Sequence, residues 1–140
     1  MIADKYIYAK LTANAGVSAL ISTRVYPIVI PQNASYPAIA YSAIYTPGDH
    51  NKTQAATKDN CEFTIRSWAA TYDAAAALDK AVRAALDYVD DGGEGEAAGG
   101  VTVEVCEWLS SKDGMEEGAS DANGSNYFFR ESAYFIRERL

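Results

Sequence analysis

One histidine and two cysteines in 140 residues leave little room for metal or nucleophile chemistry. Zinc and most redox centres need several such ligands grouped at short spacing. His50 stands beside Asp49 with no second histidine and no cysteine near it, so it reads as a surface residue rather than a base or ligand. No Gly-x-Ser-x-Gly occurs, and no carboxylate pair sits in an evident apolar pocket. No apolar run is long enough to cross a membrane as a helix. Met1–Lys10 carries Asp4, Lys5 and Lys10 and does not read as a secretory leader. The triplets starting at Asn33, Asn51 and Asn123 are then coincidental matches to the glycosylation pattern. Cys61 and Cys106 are expected to be reduced core residues, and strand order decides whether they meet. Basic residues are also scarce: 12 Lys and Arg against 19 Asp and Glu give a net charge of −7. That excludes a phosphate-binding surface over the whole protein and leaves room only for a local basic patch.

What is present is organised around Cys61–Asp90. Cys61–Trp68 alternates as a strand, with Cys61, Phe63 and Ile65 on one face and Glu62, Thr64 and Arg66 on the other. Ala69–Thr71 links it to a helix over Tyr72–Val89. Thr71 is the expected N-cap, Asp73 suits the positive helix start, and Gly92 and Gly93 are the expected stop. The apolar stripe is Ala74, Leu78, Ala81, Val82, Ala85 and Val89; Asp79, Lys80, Arg83 and Asp87 take the other face, with Asp79 and Arg83 as a surface pair.

Upstream, Asp4–Ala13 reads as a helix with Tyr6, Ile7 and Leu11 inward. Asn14 caps a short turn, Gly16–Ile21, that buries Val17, Leu20 and Ile21. Arg24–Tyr26 begins extended structure, kept irregular or at an edge by Pro27 and Pro31. Ala38–Thr46 is a strand with Ile39, Tyr41, Ala43 and Tyr45 on one face. Pro47–Asp59 is a polar loop longer than a hairpin needs. Downstream, Val101–Leu109 alternates, with Val101, Val103 and Val105 opposite Thr102, Glu104 and Cys106. Ser110–Asn126 reads as a second long polar loop. Tyr127–Glu138 is the last strand, with Tyr134 and Ile136 inward. The order α-β-β-α-β-β predicts an α+β fold: an antiparallel sheet of about four strands with helices packed on one face. The 10 tyrosines fit half-buried strand faces.

Two loops invite a ligand and fail the test. Gly92–Gly100 has no following Gly-Lys-Ser/Thr and enters a strand, whereas a phosphate cradle needs a helix start. Asp121–Ser125 has its glycine two positions early for a calcium loop, and the twelfth position is Ser132 rather than glutamate. No cofactor, metal site or catalytic residue is expected.

Arg24-Val25-Tyr26-Pro27, then Pro31-Gln32, then Tyr36-Pro37 leading a strand, resembles the tail-completion or tail-terminator proteins of long-tailed bacteriophages and related prophage particles. So does Arg66-Ser67-Trp68-Ala69-Ala70-Thr71-Tyr72, followed by Ala76, Leu78, Ala81-Val82-Arg83 and Ala85-Leu86-Asp87. The outline ends with the polar loop Asp121–Asn126, then Tyr127–Arg130 and the last strand. The resemblance is densest from Arg24 to Asp87 and loosest from Gly92 to Asn126. It implies a single tail-terminator-like domain over residues 1–140, in a virion protein at the tail and neck, assembled in the host cytoplasm. It implies a hexameric homo-oligomer ring that caps the head-proximal end of the tail tube and stops its polymerisation. The ring joins the tail to the head-completion or connector protein. DNA would pass through the lumen without specific binding, and no membrane is involved. The expected partner-contact residues are Pro47, Asp49, His50, Asn51, Lys52, Gln54 and Lys58; the expected subunit-interface residues are Arg24, Tyr26, Tyr127 and Phe128. Two readings stay open beside it: another neck or tube assembly protein of the same particle, and a small-molecule-binding α+β domain without a virion role.

Overall fold

A computed structural model describes residues 3–48, 53–90, 95–116 and 126–140. Two helices come first, α1 (Ala3–Ala13) and α2 (Ala15–Ile21). Ala3, Tyr6, Ile7 and Leu11 form the buried side of α1 at helical spacing. Asn14 caps α2, its side chain accepting from the Val17 N–H at 3.1 Å. Val17 and Ile21 are buried, whereas Leu20, expected inward, is 39% exposed. Three strands follow, β1 (Val25–Pro27), β2 (Ala38–Pro47) and β3 (Lys58–Ala69), and then the long helix α3 (Tyr72–Leu86). The chain ends with β4 (Val89–Asp90), β5 (Glu96–Ala98), β6 (Val101–Glu116) and β7 (Tyr127–Arg139).

The fold is α+β, with a curled sheet of seven strands rather than about four. Its order is β1-β2-β3-β7-β6-β4, and β5 also pairs with β6. The four long strands are those the alternation predicts. Of the three short ones, β1 is the extended segment expected from Arg24–Tyr26; β4 and β5 are too brief to show a period, and that is why the sequence hides them. The long strands are mutually antiparallel, while β1 runs parallel to β2. The last strand lies in the middle, between β3 and β6. Cys61, Phe63 and Ile65 of β3, and Tyr134 and Ile136 of β7, face one core with all three helices.

Four local expectations are corrected. Helix α3 stops at Leu86 instead of Val89. Asp87 leaves the helix and accepts the Trp108 N–H at 3.2 Å, and Val89–Asp90 joins the ladder of β6. The expected stop, Gly92 and Gly93, lies outside the described residues. The α3 stripe is rotated: Ala75, Leu78, Asp79, Val82 and Leu86 are buried, Ala81 and Ala85 pack at its margin, and Ala74 is exposed. In β6, a bulge between Val103 and Val105 reverses the alternation, so Val101, Val103 and Cys106 point inward and Val105 does not. The stretch read as a loop from Ser110 continues as strand to Glu116, paired with β7 through Tyr127.

The cysteines do not meet. Cys61 and Cys106 each pair with Ile136, on opposite sides of β7. Two strand spacings, about 9.6 Å, separate them, beyond the reach of a disulfide. Burial pushes both thiols up to about 12. They are packing residues without thiolate character.

Candidate assembly surface

The parallel pairing of β1 with β2 forces a crossover, because a tight hairpin can join only antiparallel strands. Residues 28–37 supply it, crossing the sheet face opposite the helices. A second cluster forms there: Ala40, Trp68 and Tyr127 are buried, with Ile30, Tyr36 and Phe129 against them. Tyr36 stacks on Tyr127 with ring centroids 4.1 Å apart, and Trp68 meets Phe129 at 4.6 Å. Beside this cluster a groove of about 550 Å³ runs between Ile28–Gln32 and Arg66, Trp68 and Glu116.

The groove wall is both strained and apolar. Ile28 sits at φ 66°, a left-handed conformation that a β-branched residue adopts at a cost of about 1–3 kcal/mol. Its N–H donates to the Tyr41 carbonyl at 2.7 Å, which holds it there. Ile28 is 80% exposed and Val29 69%, so burial within the chain does not compensate the strain. Arg66 donates to Glu131 at 2.8 Å, Lys112 reaches the same carboxylate at 2.9 Å, and the Arg66 guanidinium lies 5.0 Å from the Phe129 ring centroid. Burial acts to raise the Glu131 pKa, but the hydrogen bonds from Lys112 and Arg66 prevail and hold it below the usual carboxylate range. At the start of α3, Arg130 donates to Asp113 at 2.8 Å, and the Tyr72 hydroxyl donates to the same carboxylate at 3.0 Å. Together they lower the Asp113 pKa.

On the helix side, Asp79 is not the surface partner of Arg83 that its position predicts. It is 5% exposed and accepts from the Ser132 hydroxyl at 2.5 Å. Arg83 pairs instead with Asp87 at 3.3 Å and lies over Trp108. Ser132 meets Ser111 at 2.7 Å, and Ser111 accepts from the Trp108 ring N–H at 2.9 Å. Burial raises the Asp79 pKa against the lowering pull of Ser132, Arg130 and Arg83. Ser132 is fully buried, so this serine–aspartate pair has no access to a substrate. Among the described residues no three His, Cys, Asp or Glu side chains are grouped to hold a metal ion, and no helix is long and apolar enough to cross a membrane.

The residues singled out from sequence are scattered over this frame. Asp49, His50, Asn51 and Lys52 lie outside the described residues. Pro47 closes β2 and Lys58 opens β3, so the connecting segment is residues 48–57, shorter than the loop expected. Lys58 pairs with Glu104 at 3.1 Å, and Gln54 is exposed. Arg24 donates its Nε–H to the Pro37 carbonyl at 2.9 Å, tying the entry of β1 to that of β2. Tyr26 is half-buried in β1, Tyr127 is buried under Tyr36, and Phe128 is half-buried beside Ala69 and Met115. Sequence reasoning missed the groove. Its signal was Ile28-Val29-Ile30, an apolar run between prolines with no strand partner of its own.

A sheet with helices on one face, and on the other a groove, an exposed apolar crossover and paired charges, offers surface for contacts with other proteins. The comparisons agree. The profile of the family described as tail completion protein gp17 matches residues 5–122. The chain belongs to that family of phage tail structural proteins, and its location is the virion. Among solved structures, a chain of "Virion of native gene transfer agent (GTA) particle" shares the fold with a TM-score of 0.65 at 20% identity, covering 96% of this chain and 92% of that one. No curated relative matches.

Proposed function

We propose that the protein forms a ring at the head-proximal end of the tail tube, stops tube polymerisation there and joins the tail to the head-completion or connector protein. The observation that carries this reading is the tail completion family match over residues 5–122. The solved structure with the same fold belongs to a virion particle, which supports it. The exposed apolar crossover and open strand edges supply contact surface, and a heterologous contact closes into a ring when its rotation closes. The ring holds six copies, each a single domain spanning residues 1–140. The segment around residues 47–59 contacts the tube or the neighbouring subunit. The net charge of −7 suits a lumen through which DNA passes without sticking, because like charge repels phosphate. Assembly takes place in the host cytoplasm, and the protein carries out no catalysis.

Symmetry-resolved imaging of the neck tests the assignment. The expected density is a ring of this chain between tube and connector. Density for the chain at any other position in the particle refutes it.

A further inference from the structure

The geometry points to the way two copies join: residues 42–47 of β2 in one copy pair as antiparallel strands with residues 109–116 of β6 in the next. This rests on the ring reading above and adds the interface to it.

Both stretches are open sheet edges among the described residues. Strand β1 covers β2 only at Ile39–Tyr41. The Ile39 N–H donates to Arg24 O and the Tyr41 carbonyl accepts from Ile28 N–H, so alternation turns the main-chain groups of Ala43 and Tyr45 to the same, outer side. On the far edge, β5 and β4 cover β6 only as far as Cys106, and Asp87 takes the Trp108 N–H. Beyond that, no described strand pairs with the outer side of β6.

The other candidate edge is closed to pairing. In β1 the Val25 N–H donates to Thr23 O, Pro27 has no N–H, and its carbonyl accepts from Val29. What remains are two lengths of ladder open to another strand. They carry exposed apolar side chains, Ile44 at 68%, Leu109 at 46% and Met115 at 47%, which a permanently free edge would make an aggregation hazard.

Strand direction selects the occupant. From β2 through β3 and β7 to β6 each step is antiparallel, so β2 and β6 run oppositely. A second copy placed beside the first in the same orientation therefore presents β6 antiparallel to β2, the better-bonded arrangement. Each copy offers one half of the joint on each side, so the contact is heterologous and repeats until the ring closes. Register adds a constraint. Ile44 lines up through Glu62 and Phe135 with Glu107 in the same sheet. The free stretch of β6 is centred roughly five residues further on, about 17 Å along the strand. Successive copies are staggered by that distance, so the strands tilt against the ring axis, as closure of a curved sheet requires.

Cysteine pairs introduced into assembled particles test the joint. Ser42→Cys or Ile44→Cys is combined with Ser110→Cys or Lys112→Cys, all on the face away from the helices, and the particles are oxidised. At least one pair is expected to give a ladder of covalent multimers of this chain, while each single variant stays monomeric on a denaturing gel. Dimers from a single variant would show an isologous contact and overturn the inference. A ring visible in the neck with no ladder from any pair would overturn it and leave the ring reading intact. Absence of the ring itself would remove both. A second variant, Ala43→Pro, deletes an outward N–H at an edge position, where a strand tolerates proline. Its thermal midpoint is expected to match the parent while ring formation is lost; retention of the ring would overturn the pairing.

Discussion

Gly114→Ala is the most direct probe of the second cluster. Gly114 lies directly opposite Phe129 in the β6–β7 ladder. A Cβ added there would fall 2.2 Å from the Phe129 Cζ, 2.5 Å from Cε1 and 2.8 Å from Cε2. The glycine is not left-handed, so steric overlap is the whole effect. Reaching ordinary carbon–carbon contact requires the ring to retreat by more than about 1 Å. Two neighbours limit the retreat of this half-buried ring: Trp68 lies 4.6 Å from it on one side, and the Arg66 guanidinium is 5.0 Å away. Overpacking of this kind costs about 1–3 kcal/mol. At about 3–5 °C per kcal/mol for a chain of this size, the thermal midpoint should fall by about 3–15 °C. The assay is a double-mutant cycle read by thermal or urea unfolding. In a Phe129→Ala background the added methyl has room, and alanine serves a strand better than glycine by about 0.5–1 kcal/mol, so the penalty should vanish or reverse. An equal cost of Gly114→Ala in both backgrounds would refute the reasoning.

Ile28→Gly should leave stability equal or slightly raised, since it removes about 1–2 kcal/mol of left-handed strain while adding about 0.5–1 kcal/mol of chain entropy; if the apolar crossover serves assembly, particle yield falls while the melt does not. Because burial raises the Asp79 pKa, the folded chain holds that proton more tightly than the unfolded chain, and stability falls as pH rises from the ordinary aspartate range through the raised value. Asp79→Asn should flatten that part of the stability–pH curve, and an unchanged curve would locate the titration elsewhere. Replacing residues 51–57 by a two-residue turn should preserve folding, because loop length contributes weakly to stability, and should impair tail joining; normal tail completion would reduce that segment to a spacer. His50→Ala should assemble as the parent does, and loss of function with assembly intact would point to chemistry at that residue.

Alternation in Cys61–Trp68 and the helical spacing of Leu78 and Val82 determined the central strand and helix, because each follows from a local period that burial on one face imposes. Asn14 and Thr71 marked helix starts for a similarly local reason, since their side chains accept the N–H three residues on. Proline, glycine and charge placement located the remaining long strands, though not the far half of β6, and the ordered set of residues from Arg24 to Asp87 carried the family. Tertiary structure decided the rest. Asp79 looks like a surface residue until β7 brings Ser132 to it from 53 positions away. Ser110-Ser111-Lys112-Asp113 looks like a loop because its side chains meet polar partners, Ser132, Glu131 and Arg130, rather than apolar ones; only pairing with β7 makes it a strand. The bulge that turns Cys106 inward is a property of two strands in register and of neither alone. The groove, the aromatic pairs and the free edges of β2 and β6 depend on which strands are neighbours. No local period records that, because insertion of the last strand between β3 and β6 is settled by the energy of the whole sheet.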